Sequence, residues 1–261
     1  MVKVKEIADV IEEFAPKALQ ESYDNAGLQV GDPEAMVSAV LLSLDVNEDI
    51  LKEAQKRECN LIVTHHPLIF KGIKQLTGAD ATQRLVIEAL KNNIAVYSAH
   101  TNLDSVWDGV SHEIARKLNV KELEVLEPHS QDAKVGLGVV GNIKPIPKIE
   151  FLRKVKETFN VAALRYSAQS PSVVVRRVAV CGGSGASLIS AAIKAKADIL
   201  VTGDVKYHDF TSFGSEIIIA DIGHYESELC SREILSRVIR HRYPDLPLYL
   251  SDSESNPIKT L

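Results

Sequence analysis

The feature that most restricts the fold of this chain is a repeat within it. Val40-Leu41-Leu42 is followed by a helical stretch and then by Leu61-Ile62-Val63-Thr64. Val178-Ala179-Val180 is likewise followed by a helical stretch, Ser187 to Lys196, and then by Ile199-Leu200-Val201-Thr202. A constant offset of 138 relates the two copies, from Val40 to Val178 and from Thr64 to Thr202. The next strand of the first copy ends in Ala99-His100. That of the second, Ile217 to Ala220, leads to Gly223-His224. Each histidine has a carboxylate four residues on, Asp104 and Glu228. Here the offset is 124, so the intervening loop is 14 residues shorter in the second copy. Two generic βα units can share strand spacing by chance, but the twice-seen His-x-x-x-acid argues against chance. Two βα units folded alike can pack as a pseudo-symmetric pair, with both sets of strand ends at a common cleft.

The elements follow from local pattern. Ile7, Val10, Ile11 and Phe14 recur at helical spacing over Val4 to Phe14, and Pro16 closes the segment. Ser22 to Gly31, with Asp24-Asn25 and two glycines, reads as a turn entering a short strand. It is either a plain loop or a wall of the site. Val37 to Leu44 is a β-run, Glu48 to Lys56 an amphipathic helix, and Leu61 to Thr64 a short apolar run bounded by Pro67, which reads as a buried strand. A helix over Asp80 to Lys91, a strand over Ile94 to Ser98 and a helix over Gly109 to Leu118 follow. This alternation predicts a largely parallel, covered sheet. Farther on, Val135 to Val140 is a strand, Pro145 and Pro147 form a stiff turn, and Ile149 to Phe159 is a helix. Ala162 to Tyr166 and Val173 to Val180 are further strands. The expected organisation is a first α/β repeat over 1–126, a small βα module over 127–171, and a second repeat over 172–261 that packs with the first around a cleft.

Composition excludes several classes. The chain has 261 residues, of which 45% are hydrophobic and 25% charged, ordinary values for a soluble globular protein. A net charge of -5 gives no footprint for direct nucleic-acid binding. Arg153, Lys154, Lys156, Arg165, Arg176 and Arg177 could attract a phosphate, but a solvated face is the favoured reading of such a set. Three scattered cysteines, Cys59, Cys181 and Cys230, do not make a disulfide framework and suit a reducing cytosol. The N-terminal stretch lacks a secretory apolar core, and no apolar run approaches membrane-spanning length. A cytoplasmic protein with no membrane partner is expected.

The candidate chemistry sits at the strand ends. Successive residues of an extended strand point to opposite faces, so His65 and His66 would diverge and could each serve one of two neighbouring centres. His65, His66, Asp104, His224 and Glu228 supply imidazole nitrogen and carboxylate oxygen, a donor set that suits Zn, Mn, Fe, Co or Ni. A helical His-x-x-x-Glu places both side chains on one face, and Glu228 has two oxygens with which to bridge two ions. Singly, each has an ordinary alternative: two polar residues in a turn for His65 and His66, a helix cap for Asp104, a core histidine for His224, an exposed helix charge for Glu228. All five together at strand ends are better explained by metal. Cys181-Gly182-Gly183-Ser184-Gly185 is neither a nucleotide-binding fingerprint nor a nucleophile elbow, and reads as a tight turn between strand and helix. His208 and Asp209 have no assigned role. His112 and His129 read as surface residues.

Five segments carry a resemblance to a known family: Ser22-Tyr23-Asp24-Asn25-x-Gly27-Leu28-x-Val30-Gly31, Thr64-His65-His66-Pro67-Leu68, Ala99-His100-Thr101-Asn102-Leu103-Asp104, Thr202-Gly203-Asp204 and Asp221-x-Gly223-His224-x-x-x-Glu228. On these the chain resembles the Nif-three-like family, also known as GTP cyclohydrolase 1 type 2 homologues, over nearly its whole length. The resemblance implies an α/β fold of two intertwined units related by duplication, with mixed sheets covered by helices. It implies two divalent metal ions, one on His65 and Asp104, the other on His66 and His224, bridged by Glu228, with His100 close by. It also implies a homo-oligomer, often a hexameric ring, and a metal-dependent hydrolase acting on cyclic amidine C–N bonds of a nucleotide such as GTP. A non-enzymatic metal-binding, metal-delivery or regulatory partner protein is the alternative. The domain inserted in longer members has no room in this chain.

Overall fold

The computed structural model describes residues 2–129, 132–168 and 173–261. The elements run β1 (Val2–Lys3), α1 (Val4–Phe14), β2 (Gly27–Val30), β3 (Met36–Val37), β4 (Val40–Ser43), α2 (Glu48–Lys56), β5 (Leu61–Thr64), α3 (Ala81–Lys91), β6 (Ala95–Ser98), α4 (Thr101–Ser105) and α5 (Val110–Lys117). They continue with β7 (Lys121–His129), β8 (Asp132–Pro147), α6 (Lys148–Thr158), β9 (Arg165–Tyr166), β10 (Val174–Ser184), α7 (Ile189–Lys194) and β11 (Ile199–Gly203). Last come α8 (Tyr207–Phe213), β12 (Ile218–Asp221), α9 (His224–Glu228), α10 (Ser231–Arg242) and β13 (Leu248–Leu250). Two compact units share the chain: Met1–Leu103 with Ser231–Ser255, and Asp104–Cys230 with Asn256–Leu261. The chain thus leaves the first unit and returns to it.

The first unit is built on a five-stranded sheet of order β13-β4-β5-β6-β2. β13, β4, β5 and β6 are parallel, and β2 runs antiparallel along β6. β4, β5 and β6 are buried at every position, which is why their sequences are continuous apolar runs rather than alternations. On one side Leu41, Ile62 and Val96 meet Ile50, Leu51 and Ala54 of α2 and Val86 and Ala89 of α3. Asn47 caps α2, accepting the amides of Asp49 and Ile50 at 3.0 Å each. α1 buries Val4, Ile7, Val10 and Ile11, and it packs on α10.

The second unit carries a six-stranded sheet of order β7-β8-β10-β11-β12-β9. Only β10, β11 and β12 are parallel; β7, β8 and β9 join antiparallel. The expectation of a largely parallel sheet therefore holds for the first unit and half of the second. A tight β7–β8 pairing replaces the helical crossover that parallel neighbours would need. Leu188, Ile189 and Ala192 close one side of the core against Ala179, Leu200 and Ile219.

The repeat is real at the level of register. Val40, Leu41 and Leu42 face Leu61, Ile62 and Val63. Under the same offset of 138, Val178, Ala179 and Val180 face Ile199, Leu200 and Val201.

Four local expectations are corrected. β8 runs on through Pro145 and Pro147 as a strand, paired there with Val174 and Val175 of β10, instead of turning at the prolines. The strand expected over Ala162 to Tyr166 shrinks to Arg165–Tyr166. The Gly182-Gly183-Ser184 stretch is the end of β10, not a turn. His112 is not on the surface: α5 lies on β10 and β8 and buries it, whereas His129 is exposed as expected. The expected end of the middle module at Pro171 lies outside the described residues. Among the described residues no helix is long and apolar enough to cross a membrane.

Candidate metal centre

In the first unit three histidines meet at the carboxyl ends of adjacent parallel strands, where open α/β sheets place their ligands. His65 and His66 follow β5, and His100 follows β6. Their ring centroids stand 5.2 to 5.5 Å apart, and each offers a ring nitrogen within 4.8 Å of the other two. The expected divergence of His65 and His66 does not occur. β5 stops at Thr64, and the turn beyond it is pinned by Thr64 Oγ1 donating to His66 O at 2.8 Å and His66 N donating to Leu44 O at 2.9 Å. Once the extended backbone ends, strict alternation of side chains ends with it.

Each ring is held by one nitrogen. His65 Nδ1 sits 2.8 Å from Ala99 O, His66 Nδ1 2.8 Å from Asp45 Oδ1, and His100 Nδ1 2.8 Å from Asp24 Oδ1. A carbonyl or carboxylate on Nδ1 favours the tautomer with the proton there and orients the ring, as outer hydrogen-bond partners do for metal-ligating histidines. Asp24 also accepts from the Thr101 backbone amide at 3.0 Å and from the Thr101 hydroxyl. Burial pushes its carboxyl up, but the bonds from His100 and Thr101 outweigh this and hold it below its ordinary range. The loop bearing Asp24 is therefore a wall of the histidine cluster. It is tied to the loop after His66 by Asn25 Nδ2 donating to Ile69 O at 2.6 Å, and its Tyr23 ring packs 6.4 Å from Phe70.

The second unit contributes its own set. His224 opens α9 and Glu228 closes it, one turn later. His224 Nε2 lies 2.9 Å from Glu228 Oε2, and His224 Nδ1 lies 2.8 Å from Asp204 Oδ2. Glu228 is buried, at 3% exposure. Gly183 makes this possible. A Cβ built there would lie 2.0 Å from Glu228 Oε1, and φ is +59°. The glycine is required twice, for space and for the left-handed backbone. Its amide donates to Ser227 Oγ at 2.9 Å, anchoring α9 from beneath. Gly203 does similar service, since a Cβ there would lie 2.8 Å from the His224 amide nitrogen. Asp104, in α4, raises the Cys181 thiol pKa together with Glu228, although burial of the thiol is the larger cause.

Asp45 and Gly183 escaped the sequence reading as parts of the centre, and Asp24 and Asp204 entered it only within a loop and a motif, without these roles. Each acts through a ligand candidate rather than as one. The signal for Asp204 was present, as the residue standing where the first copy has its histidines. His100, placed only nearby, is a full member of the first unit's cluster.

The donor set fits a divalent metal. In the first unit His65, His66 and His100 each have Nδ1 engaged at 2.8 Å by an oxygen acceptor; in the second His224 is engaged likewise, and Glu228 supplies a buried carboxylate. The His and Glu groups that could hold an ion thus come with the outer hydrogen bonds such ligands require.

Comparison with known proteins gives the family. The profile of Duf34/NIF3 (NGG1p interacting factor 3) matches residues 2–257. A Clostridium acetobutylicum protein named "GTP cyclohydrolase 1 type 2 homolog" is 35% identical over 265 residues, covering 99% of this chain and 98% of that protein. Among solved structures, the Bacillus cereus protein related to NIF3 superposes with a TM-score of 0.90 at 23% identity, covering 100% of this chain and 99% of the other. Reduced HcgD from Methanocaldococcus jannaschii superposes with a TM-score of 0.81 at 29% identity, covering 96% and 98%. Fold, motifs and sequence together establish that the chain belongs to the Duf34/NIF3 family.

Proposed function

We propose that the protein is a dinuclear metal-dependent hydrolase. His65 and Asp104 would hold one divalent cation, His66 and His224 the other, and Glu228 would bridge the two. The observation that carries this reading is the common preparation of the histidines: His65, His66 and His224 each have Nδ1 committed to an oxygen at 2.8 Å. Core histidines need no such uniform treatment, whereas metal ligands do. A pair of such cations supplies Lewis acidity toward water and toward an oxyanion. The protein's own part is to fix the ligand rings, to keep Glu228 in place over Gly183, and to hold a proton acceptor beside the site. His100 suits the last role. Asp24 holds the proton on Nδ1, so Nε2 is the basic nitrogen. A nucleotide such as GTP is the candidate substrate, supported by the name that the bacterial relatives bear.

The test begins with metal content per chain in protein purified without added metal; two equivalents are expected. Metal-loaded protein is then incubated with GTP and with simple phosphoesters beside a Glu228→Ala control. Two metals without turnover above the control would replace the hydrolase reading with that of a metal-binding or metal-delivery protein. No metal would end both.

A further inference from the structure

One cavity of the second unit lies outside the residues assigned above. It has a volume of about 430 Å³ and is lined by Arg165, Tyr166, Ser167, Tyr207, Phe210 and Thr211. Tyr207, Phe210 and Thr211 share one face of α8, at the three- and four-residue spacing that stacks side chains along a helix. Arg165 and Tyr166 form β9, the edge strand beside β12. Tyr207 is 74% exposed and Tyr166 42%, although each is large enough to have been worth burying.

Arg165 is the charged element of this cavity, and it is held rather than free to sweep. Its guanidinium lies over the Phe210 ring, 5.8 Å from the centroid. Nη2 donates to the Val205 carbonyl at 3.0 Å and to the buried carboxylate of Asp221. Both bonds leave from Nη2, so among the described residues Nε and Nη1 keep their donors for another acceptor. Asp221 is itself shared, accepting the Val205 amide at 3.0 Å and the Gly223 amide at 2.9 Å. Its charge is thus spread over the turns that carry Asp204 and His224, and the guanidinium side chain remains 61% exposed.

We propose that this cavity binds an aromatic phosphate: a planar ring stacked on Tyr207 and Tyr166, with its phosphate on the free edge of Arg165. Guanidinium matches phosphate geometry and rests on aromatic faces, and flat rings gain binding energy from exposed tyrosines without needing a particular base. A concave surface, two exposed aromatic rings and an immobilised cation are the ingredients of a small-molecule site, with the polar groups few and fixed. The site is distinct from the metal ligands, so binding does not depend on the hydrolase reading.

The test is a calorimetric titration of the full-length protein as purified, repeated with a chelator present. The probes are GMP, phenyl phosphate, guanosine and inorganic phosphate. GMP and phenyl phosphate are expected to bind with and without chelator, and guanosine and inorganic phosphate at least about tenfold more weakly, since each lacks one of the two contacts. GMP binding much tighter than phenyl phosphate would identify a nucleotide as the source of the ring; equal binding would identify a simpler aryl phosphate. Tyr207→Ser, a change on the exposed side of α8, is expected to weaken both by about tenfold. Arg165→Met is expected to bring them down to the level of guanosine, and Arg176→Met to leave them unchanged. Affinity for inorganic phosphate equal to that for phenyl phosphate, affinity unmoved by Tyr207→Ser, or loss of all binding with chelator would overturn the proposal. Failure of either phosphate ester to bind at millimolar concentration would do the same.

Discussion

At the scale of single residues, His112 shows how burial overrides a surface reading. Its ring lies 4.3 Å from that of Trp107, tilted by 55°, and burial lowers its pKa from 6.5 to about 4, against an upward pull from Asp108 and with a small downward push from Arg116. The unfolded chain takes up this proton near pH 6.5 and the folded chain only near pH 4, so the associated stability is complete above the first value and lost toward the second. His112→Phe is expected to flatten the fall of Tm with pH across that window, as measured by thermal unfolding at several pH values. Gly183 makes a second prediction. Gly183→Ala is expected to leave the far-ultraviolet circular dichroism intact and to remove at least one metal equivalent, read by metal analysis, because the new methyl competes with Glu228 Oε1 for the same space. A third concerns His100. His100→Gln is expected to keep metal content and lower any turnover by about a hundredfold or more, the usual weight of a positioned base; loss of metal instead would make His100 a ligand. The five ligand candidates were legible as residues because metal donors are few in kind. Asp24, Asp45 and Asp204 were not, because a carboxylate that orients a ring looks in sequence like any other acid.

At the scale of elements, period and punctuation gave most of the boundaries. α1, α2 and β5 fall where apolar spacing, Pro16 and Pro67 put them, since an apolar stripe or a proline stop is a local fact. The errors fall where a neighbour decides. β8 passes through two prolines because β10 pairs with it there, and local propensity has no knowledge of a partner strand. The grip of α2 on the segment after β13 belongs to the same class. Glu53 accepts from the Ser251 hydroxyl and from the amides of Asp252 and Ser253, the latter two at 3.0 and 2.9 Å. Burial raises its pKa, but these bonds win and bring it from 4.5 to about 2. The contribution is therefore present above pH 4.5 and lost as pH falls toward 2. Glu53→Gln is expected to cost about 1–3 kcal/mol at neutral pH, with the difference from the parent vanishing in acid, measured by denaturant unfolding across pH.

At the scale of the whole molecule, the expectation is an assembly of six chains, which native mass spectrometry would show as a species of six times the chain mass; a stable monomer at working concentration would contradict it. The sequence alone determined the α/β class, the duplication with its 138-residue offset, and a set of imidazole and carboxylate residues as metal-ligand candidates. Those are properties of local pattern and of chemistry carried by side chains wherever they sit. Only the tertiary structure decided that β13 returns to the first unit's sheet, that β7 and β8 turn the second sheet antiparallel at one end, that the rings of His65 and His66 sit side by side, and that Glu228 rests on a glycine. Each depends on which backbone lies next to which, a consequence of packing between segments far apart in the chain, and no stretch of sequence states its own neighbours.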